Sequence, residues 1–87
     1  TIADGLRGTI GEINFALLRE HVREVLRVSD AEIVAAMRLL WERLKLVVEP
    51  SGATVLAALL SHRGKFVGQR VGLVLSGGNV DLSALPF

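Results

Sequence analysis

The feature that most constrains the fold of this chain is an apolar run close to its C-terminal end. Residues 71–75 read Val-Gly-Leu-Val-Leu, with no polar residue among them, and they lead into Ser-Gly-Gly-Asn at residues 76–79. A strand that is apolar on both faces is typical of the centre of a parallel sheet that helices cover on both sides. The sequence therefore predicts a buried strand over residues 71–75.

The turn at residues 76–79 is the first candidate for a binding site. In open α/β sheets, ligands bind in the crevice beyond the carboxyl ends of the strands, and here a hydroxyl, two glycines and an amide follow the predicted strand. The same residue types also form ordinary turns, in which Ser76 would cap the end of the strand. The residues alone leave both interpretations open.

Length and composition indicate that the chain is part of something larger. Its 87 residues allow one small domain at most, yet 51% of them are hydrophobic and the mean hydropathy is +0.48. These values are high for a small soluble domain that must cover itself with polar side chains. We therefore expect either a segment of a larger core or a chain that buries its apolar surface in a homo-oligomer.

Charge, cysteine content and the N-terminal sequence exclude several classes of protein. Ten basic and nine acidic side chains are interspersed, for a net charge of +1, so no basic stripe predicts a nucleic-acid partner. No apolar run reaches the roughly 18 residues that a membrane-spanning helix needs. The absence of cysteine excludes a disulfide framework and a thiolate metal site, and no secretion signal is visible. We expect a cytoplasmic protein that binds neither nucleic acid nor a membrane.

The first third of the chain predicts one helix and one strand. Residues 9–12, Thr-Ile-Gly-Glu, have the spacing of a capping box and are followed by an apolar stripe. They predict a first helix from about Ile10 to about His21. Residues 24–28 form a short run rich in β-branched side chains, which predicts a strand.

The middle of the chain predicts two further helices. Residues 29–32, Ser-Asp-Ala-Glu, repeat the capping-box spacing, and apolar side chains then recur at helical intervals over residues 33–44. Pro50 interrupts this pattern but suits the first turn of a new helix, which we expect to end near Ser61. The predicted fold is α/β, with three helices and two short parallel strands, and residues 1–87 form a single partial domain.

Three separated segments resemble, in order and spacing, the C-terminal part of the serine racemase and threonine dehydratase family. They are Thr-Ile-Ala-Asp-Gly at residues 1–5, Trp-Glu-Arg-Leu-Lys at 41–45 leading to Glu-Pro-Ser-Gly-Ala at 49–53, and Leu-Ser-Gly-Gly-Asn-Val-Asp at 75–81. The members of this family are pyridoxal-phosphate enzymes of fold type II, the tryptophan-synthase-β-like fold. The resemblance implies that the chain is a C-terminal segment of the large cofactor-binding domain.

The resemblance also implies which residues of this chain contact the cofactor. The serine that matches Ser76 hydrogen-bonds the pyridine nitrogen, and the glycine that matches Gly5 lies against one face of the ring. The matching glutamate and serine near the pyridine-nitrogen end support that contact. For Glu49 an ordinary carboxylate at the start of a helix is an equally good interpretation, and both can hold at once. The implied cofactor-binding set is Gly5, Glu49, Ser51, Ser76, Gly77 and Asn79.

The resemblance places the catalytic groups outside this chain. The lysine that forms the Schiff base with the cofactor, the phosphate-binding loop and the divalent-cation site of some members all lie upstream, and neither Lys45 nor Lys65 stands in the lysine motif. We therefore expect no catalytic residue and no metal ligand within residues 1–87, and an inactive segment. The chain ends soon after residue 81, which implies a member without the regulatory domain of the biosynthetic dehydratases.

The activity implied for the parent protein is that of an ammonia-lyase acting on a small β-hydroxy amino acid. Such an enzyme removes water and ammonia from serine or threonine and leaves a 2-oxo acid. An amino acid racemase of the same family is the alternative within this class, since it begins with the same proton abstraction. A free-standing, non-enzymatic α/β module that self-associates through its surplus apolar surface is the alternative from another class.

Overall fold

The computed structural model describes all residues from 1 to 87 and consists of helices joined by irregular segments, without a β-strand. Its three α-helices are α1, Glu12–His21, α2, Asp30–Leu39, and α3, Pro50–Ser61. A π-helical turn extends α2 over Leu40–Leu44, and two 3-10 turns occupy Asp4–Leu6 and Arg63–Lys65. None of the helices combines the length and the apolar character needed to cross a bilayer.

The start of α2 is the predicted capping box. Glu32 N donates to Ser29 Oγ at 3.2 Å, and Ser29 N donates to Glu32 Oε2 at 2.6 Å. Each side chain thereby satisfies a backbone donor that the helix itself leaves without a partner. The prediction of a helix that begins here is confirmed.

The end of α2 is a π-helical turn closed by a residue in the left-handed region. Leu46 N donates to Leu40 O at 3.3 Å, and Lys45 has a φ of 57°, which is uncommon for a residue other than glycine. Trp41 Nε1 donates to Val48 O at 3.0 Å and so ties the turn to the segment that leads into α3. The chain therefore reverses direction between α2 and α3 with Val48 buried.

The third helix begins and ends at the predicted residues, Pro50 and Ser61. Proline is tolerated at its first position because the backbone N–H there would have no partner within the helix. α3 packs along α2, and the first residues of the chain contact its start. The core is one cluster of buried apolar residues around this packing: Ala3, Ile33, Ala36, Met37, Leu40, Val48, Ala53 and Ala57.

The first helix differs from its prediction at its start and in its packing. Its N-cap is Gly11, in an extended conformation and without a side-chain cap, so the predicted capping box at residues 9–12 is wrong. Glycine is a poor helix former, which favours extended backbone at Gly11 and a helix that starts at Glu12. None of the residues of α1 is buried, and Ile13 is 79% exposed. The apolar stripe of α1 therefore has no partner among these 87 residues.

The two predicted strands, residues 24–28 and 71–75, are extended segments that form no sheet. They make no backbone–backbone hydrogen bond to each other or to another part of the chain. The predicted burial of the second segment is also wrong, since Val71 is 39% exposed and Val74 is 77% exposed. Apolar patterning predicts which residues need cover, but a strand exists only where a neighbouring strand accepts and donates its ladder of hydrogen bonds. The α/β prediction with two parallel strands is corrected to a helical arrangement of residues 1–87.

Candidate functional site

The first seven residues form a closed loop beside the start of α3, which we call the N-terminal loop. Leu6 N donates to Ala3 O at 3.0 Å, and Arg7 N donates to Asp4 O at 3.2 Å. Ala3 is only 2% exposed and anchors the loop in the core between α2 and α3. Gly5 is exposed within this loop and lies next to the first turn of α3.

Gly5 and Ser51 are in direct contact. Gly5 N donates to Ser51 Oγ at 3.0 Å, across 46 residues of sequence. A Cβ atom at position 5 would lie 2.8 Å from the same oxygen, so an alanine there would displace the Ser51 hydroxyl and disturb this hydrogen bond. The structure thus brings together two of the predicted site residues, and it gives Gly5 a requirement for glycine that depends on Ser51.

Glu49 and Gly77 form a second pair. Glu49 N donates to Gly77 O at 3.2 Å, and Gly77 has a φ of 82°. A Cβ atom at position 77 would lie 1.8 Å from Glu49 Oε1, so the glutamate side chain occupies the space that any other residue would need. Glu49 is also the N-cap residue of α3, where the helix dipole favours a carboxylate. The interpretation of Glu49 as a carboxylate at a helix start therefore fits its position, and its role toward a cofactor stays a prediction.

Ser76 lies against the first turn of α3 through its backbone. A Cβ atom on Gly52 would lie 2.2 Å from Ser76 O and 2.8 Å from Val48 Cγ1, and Gly52 is buried. Only a glycine at position 52 lets the carbonyl approach this closely. Ser76 itself is exposed, so its hydroxyl is accessible one residue away from the contact between Glu49 and Gly77.

Asn79 lies beside a cavity at the start of α3. It lines a cavity of about 160 Å³ that also touches Asp4 and Pro50, between the N-terminal loop and the start of α3. The other five predicted residues meet at the first turn of α3, in the pairs already described and through Gly52. We call these five residues the α3 cluster: Gly5, Glu49, Ser51, Ser76 and Gly77.

Two larger cavities lie over α1 and not at the α3 cluster. One has a volume of about 570 Å³ and includes Leu17 and Val22, and the other has about 420 Å³ and includes Phe15 and Val25. Both are shallow spaces bordered by the exposed apolar side chains of α1. Their size reflects an uncovered packing face, whereas the α3 cluster combines glycines, a carboxylate and hydroxyls that can recognise a ligand.

The N-terminal loop is also attached to the first residue of α2. Thr1 Oγ1 donates to Asp30 Oδ1 at 2.5 Å and accepts from Ala3 N at 3.2 Å. The hydrogen bond from Thr1, with a second from the amide of Ile2, lowers the pKa of the Asp30 carboxyl. Arg7 donates to Thr1 O from Nε at 3.0 Å and also from Nη2. The loop is therefore fixed at both of its ends.

Sequence reasoning missed this attachment of the N-terminal loop. Thr1 and Asp30 are 29 residues apart and belong to two separate motifs, residues 1–5 and 29–32, neither of which indicates that the two side chains meet. His62 is half-buried, and its Nε2 lies 3.1 Å from Arg27 O. No group of three or more histidine, cysteine, aspartate or glutamate side chains is placed to bind a metal ion.

Comparison of the sequence with known proteins gives consistent matches. The profile of a family described as pyridoxal-phosphate dependent enzyme matches residues 1–77. The chain is 46% identical over 87 residues to a beta-hydroxyaspartate dehydratase of Paracoccus denitrificans, and the match covers 100% of this chain and 28% of the relative. It is 47% identical to a serine racemase of Dictyostelium discoideum, over 98% of this chain and 27% of the relative. The chain therefore spans less than a third of the length of these relatives.

Comparison with solved structures agrees with the sequence matches. The structure superposes on the crystal structure of the serine racemase of Dictyostelium discoideum with a TM-score of 0.88 and 48% identity, covering 94% of this chain and 28% of that one. It superposes on the crystal structure of a T.th. threonine deaminase with a TM-score of 0.87 and 49% identity, covering 97% and 31%. The helical arrangement described above is thus that of one part of a larger protein fold.

Proposed function

The chain belongs to the family of pyridoxal-phosphate dependent enzymes, and on this basis we propose that residues 1–87 form one wall of the cofactor site in an ammonia-lyase. The substrate class is a small β-hydroxy amino acid. The observation that supports the proposal most strongly is the meeting of three distant segments at the first turn of α3. Gly5, Glu49 and Gly77 come from these segments and lie within hydrogen-bonded contact of α3 or its N-cap.

The residues of the α3 cluster fit the pyridine end of pyridoxal phosphate. Ser76 offers an exposed hydroxyl that can donate a hydrogen bond to a ring nitrogen. Gly5 and Gly77 carry no side chains that would stand between a planar ring and the backbone. When bound, the cofactor supplies an electron sink for the negative charge left by loss of the α-proton. The donor set of this wall and the chemistry of the ring are therefore compatible.

A serine at this position favours elimination for a reason of charge. A carboxylate would hold the ring nitrogen in its protonated, positively charged form, whereas a hydroxyl donates a hydrogen bond without forming an ion pair. The ring then withdraws less charge, and prompt departure of a β-hydroxyl is favoured over reactions that need a long-lived carbanion. Glu49 lies next to Gly77, where its carboxylate limits the positions open to the Ser76–Gly77 backbone.

The proposed reaction balances without a further redox partner. The α-proton and the β-hydroxyl leave as water, and hydrolysis of the resulting enamine consumes one water and releases ammonia and a 2-oxo acid. The lysine that binds the cofactor and the proton acceptor would come from outside residues 1–87. A divalent cation, if the complete protein uses one, would also bind outside this segment.

An amino acid racemase is the second candidate function. A serine racemase of Dictyostelium discoideum is among the relatives, at 47% identity, and racemisation begins with the same removal of the α-proton. The two activities differ in whether a β-hydroxyl departs, which the α3 cluster alone does not decide. Their products separate them, since the lyase releases ammonia and a 2-oxo acid and the racemase inverts the amino acid at its α-carbon.

The complete protein is proposed to be a cytoplasmic homo-oligomer. The support for the homo-oligomer is the apolar stripe of α1, whose side chains, such as Ile13 and Phe15, are exposed in the isolated chain. The same surface supports the alternative of a self-associating module without enzymatic activity. Light scattering of the intact gene product, with and without pyridoxal phosphate, measures its oligomeric state. A protein that assembles but does not bind the cofactor would favour the non-enzymatic module.

The experiment that tests the proposed function uses the intact gene product that contains this segment. We expect an absorbance band of bound cofactor when pyridoxal phosphate is added, and release of ammonia and a 2-oxo acid from serine, threonine or 3-hydroxyaspartate. Ser76→Ala removes one neutral hydrogen bond and should weaken cofactor binding by about 3- to 10-fold. Ser83→Ala removes an exposed serine in the next turn and should leave binding unchanged.

Three outcomes would contradict parts of the proposal. A wild-type protein that shows no absorbance change with the cofactor would exclude pyridoxal-phosphate chemistry. Inversion of serine at its α-carbon, without ammonia release, would replace the ammonia-lyase by the racemase. Equal effects of Ser76→Ala and Ser83→Ala on cofactor binding would mean that Ser76 does not contact the cofactor.

A further inference from the structure

The N-terminal loop is held by a chain of hydrogen bonds that ends at the α3 cluster. Asp30, the first residue of α2, accepts from Thr1 Oγ1 at 2.5 Å, and the same hydroxyl accepts from Ala3 N at 3.2 Å. Arg7 reaches back to Thr1 O from the other end of the loop. Gly5, between these anchors, donates to Ser51 Oγ at 3.0 Å. The position of Gly5 is therefore connected to the start of α2 through Thr1.

We propose that Thr1, Asp30 and Arg7 are positioning residues that hold Gly5 against Ser51 and so fix one side of the cofactor site. The proposal rests on the proposed function, because it gives the loop a role toward the cofactor. The three residues would act through the backbone of the loop and would not touch the ring. Their effect would be to reduce the number of loop conformations that compete with the one in which Gly5 meets Ser51.

The arrangement of donors and acceptors explains why these three residue types are needed. The Thr1 hydroxyl is used twice, as a donor to Asp30 and as an acceptor from Ala3, so a valine of the same shape would break both bonds. The Asp30 carboxylate lies at the N-terminus of α2, where negative charge is favoured, and it accepts bonds from the loop. The Arg7 guanidinium has several donors in one plane and can place two of them on a single carbonyl.

A purely structural role in capping α2 is the competing explanation for Asp30. Ser29 and Glu32 form the capping box of the same helix, and their hydrogen bonds join them to each other and not to the loop. Loss of the Ser29 cap would weaken the start of α2 without removing any bond of the N-terminal loop. Ser29→Ala is therefore the matched control for Asp30→Ala.

The test combines hydrogen–deuterium exchange with cofactor titration in the intact gene product. Thr1, Asp30, Arg7 and Ser29 are all exposed, so the substitutions leave the core intact. We expect Thr1→Val and Asp30→Ala to speed amide exchange over residues 2–6 by about 5-fold. The same variants should raise the dissociation constant for pyridoxal phosphate by about the same factor. Thr1→Ser, which keeps the hydroxyl, should restore both values.

Two results would overturn the proposal. One is unchanged exchange over residues 2–6 in Thr1→Val, and the other is an equal increase in Ser29→Ala, which would assign the effect to the helix start. A wild-type protein that does not bind pyridoxal phosphate would refute the proposed function. The exchange of the loop would still decide in that case whether Thr1 and Asp30 hold Gly5 in place.

Discussion

Two regions of this chain each carry an apolar helix face, but the surroundings of these faces are opposite. The body formed by α2 and α3 buries its apolar face, and Met37 is fully inaccessible to solvent. α1 also carries an apolar stripe, but no residue of it is buried and Ile13 is 79% exposed. An amphipathic pattern therefore specifies a helix and its apolar face, while the surface that packs against this face must come from elsewhere. The candidate site lies on the body, where the partners are within the chain.

The largest expected difference between the two regions is in the cost of removing an apolar side chain. Met37→Ala leaves a cavity in the core and should lower the free energy of unfolding by about 2–5 kcal/mol. Ile13→Ala removes a side chain that is already in solvent and should change it by no more than about 0.5 kcal/mol. Urea unfolding of the 87-residue chain followed by circular dichroism measures both values.

These two substitutions together test whether α1 is packed in the isolated chain. Comparable losses of unfolding free energy for Met37→Ala and Ile13→Ala would mean that α1 is packed in solution. The two regions would then not differ in burial. The same urea unfolding experiment on Ile13→Ala in the intact gene product is a second measurement. A loss larger than in the isolated chain would show that α1 is covered in the complete protein.

The sequence predicted helices of the α2–α3 body more accurately than the segments that lack a packing partner in this chain. α3 was predicted to begin at Pro50 and to end near Ser61, and its start signal, a proline at the first helical position, is local. The strands at residues 24–28 and 71–75 were not obtained, because a strand depends on neighbouring backbone that local patterning does not describe. The apolar pattern of residues 71–75 still indicates a surface that is normally buried, since Val74 is apolar and 77% exposed in this chain.

The candidate site was predictable through its motifs and not through its geometry. The resemblance named Gly5, Ser51, Glu49 and Gly77, and the structure brings these residues together in pairs. Their roles toward a cofactor stay predictions until a binding experiment is done. The anchoring of the loop by Asp30 could not be foreseen, because the motifs that contain Thr1 and Asp30 are 29 positions apart and local patterning does not indicate that they meet.

The two predicted capping boxes offer a smaller contrast between the same regions. Ser29 accepts from Glu32 N at 3.2 Å, so Ser29→Ala should lower the free energy of unfolding by about 1 kcal/mol. Thr9 has the same position in its motif but does not cap α1, whose N-cap is Gly11. Thr9→Ala should therefore leave stability unchanged. Equal losses in urea unfolding would mean that Thr9 caps α1 in solution after all.

The smallest effect concerns the dependence of stability on pH at the start of α2. The hydrogen bond from the Ser29 backbone amide, with further bonds from serine side chains, lowers the pKa of Glu32 in the folded chain. A lowered folded-state pKa means that the stabilisation is complete above the ordinary carboxylate pKa of about 4.3 and is lost as the pH falls through the folded-state value. Stability should therefore fall in acid.

Glu32→Gln isolates this titration, because glutamine also fits the third position of a capping box but carries no proton that dissociates in this range. We expect the variant to lose less stability than the wild type between about pH 7 and about pH 3 in urea unfolding. Some loss should remain, since the pKa of Asp30 is also lowered, first by the hydrogen bond from Thr1. Parallel profiles would mean that Glu32 has the same pKa in the folded and unfolded chains. The capping box would then stabilise α2 by geometry alone, without a contribution from the charge.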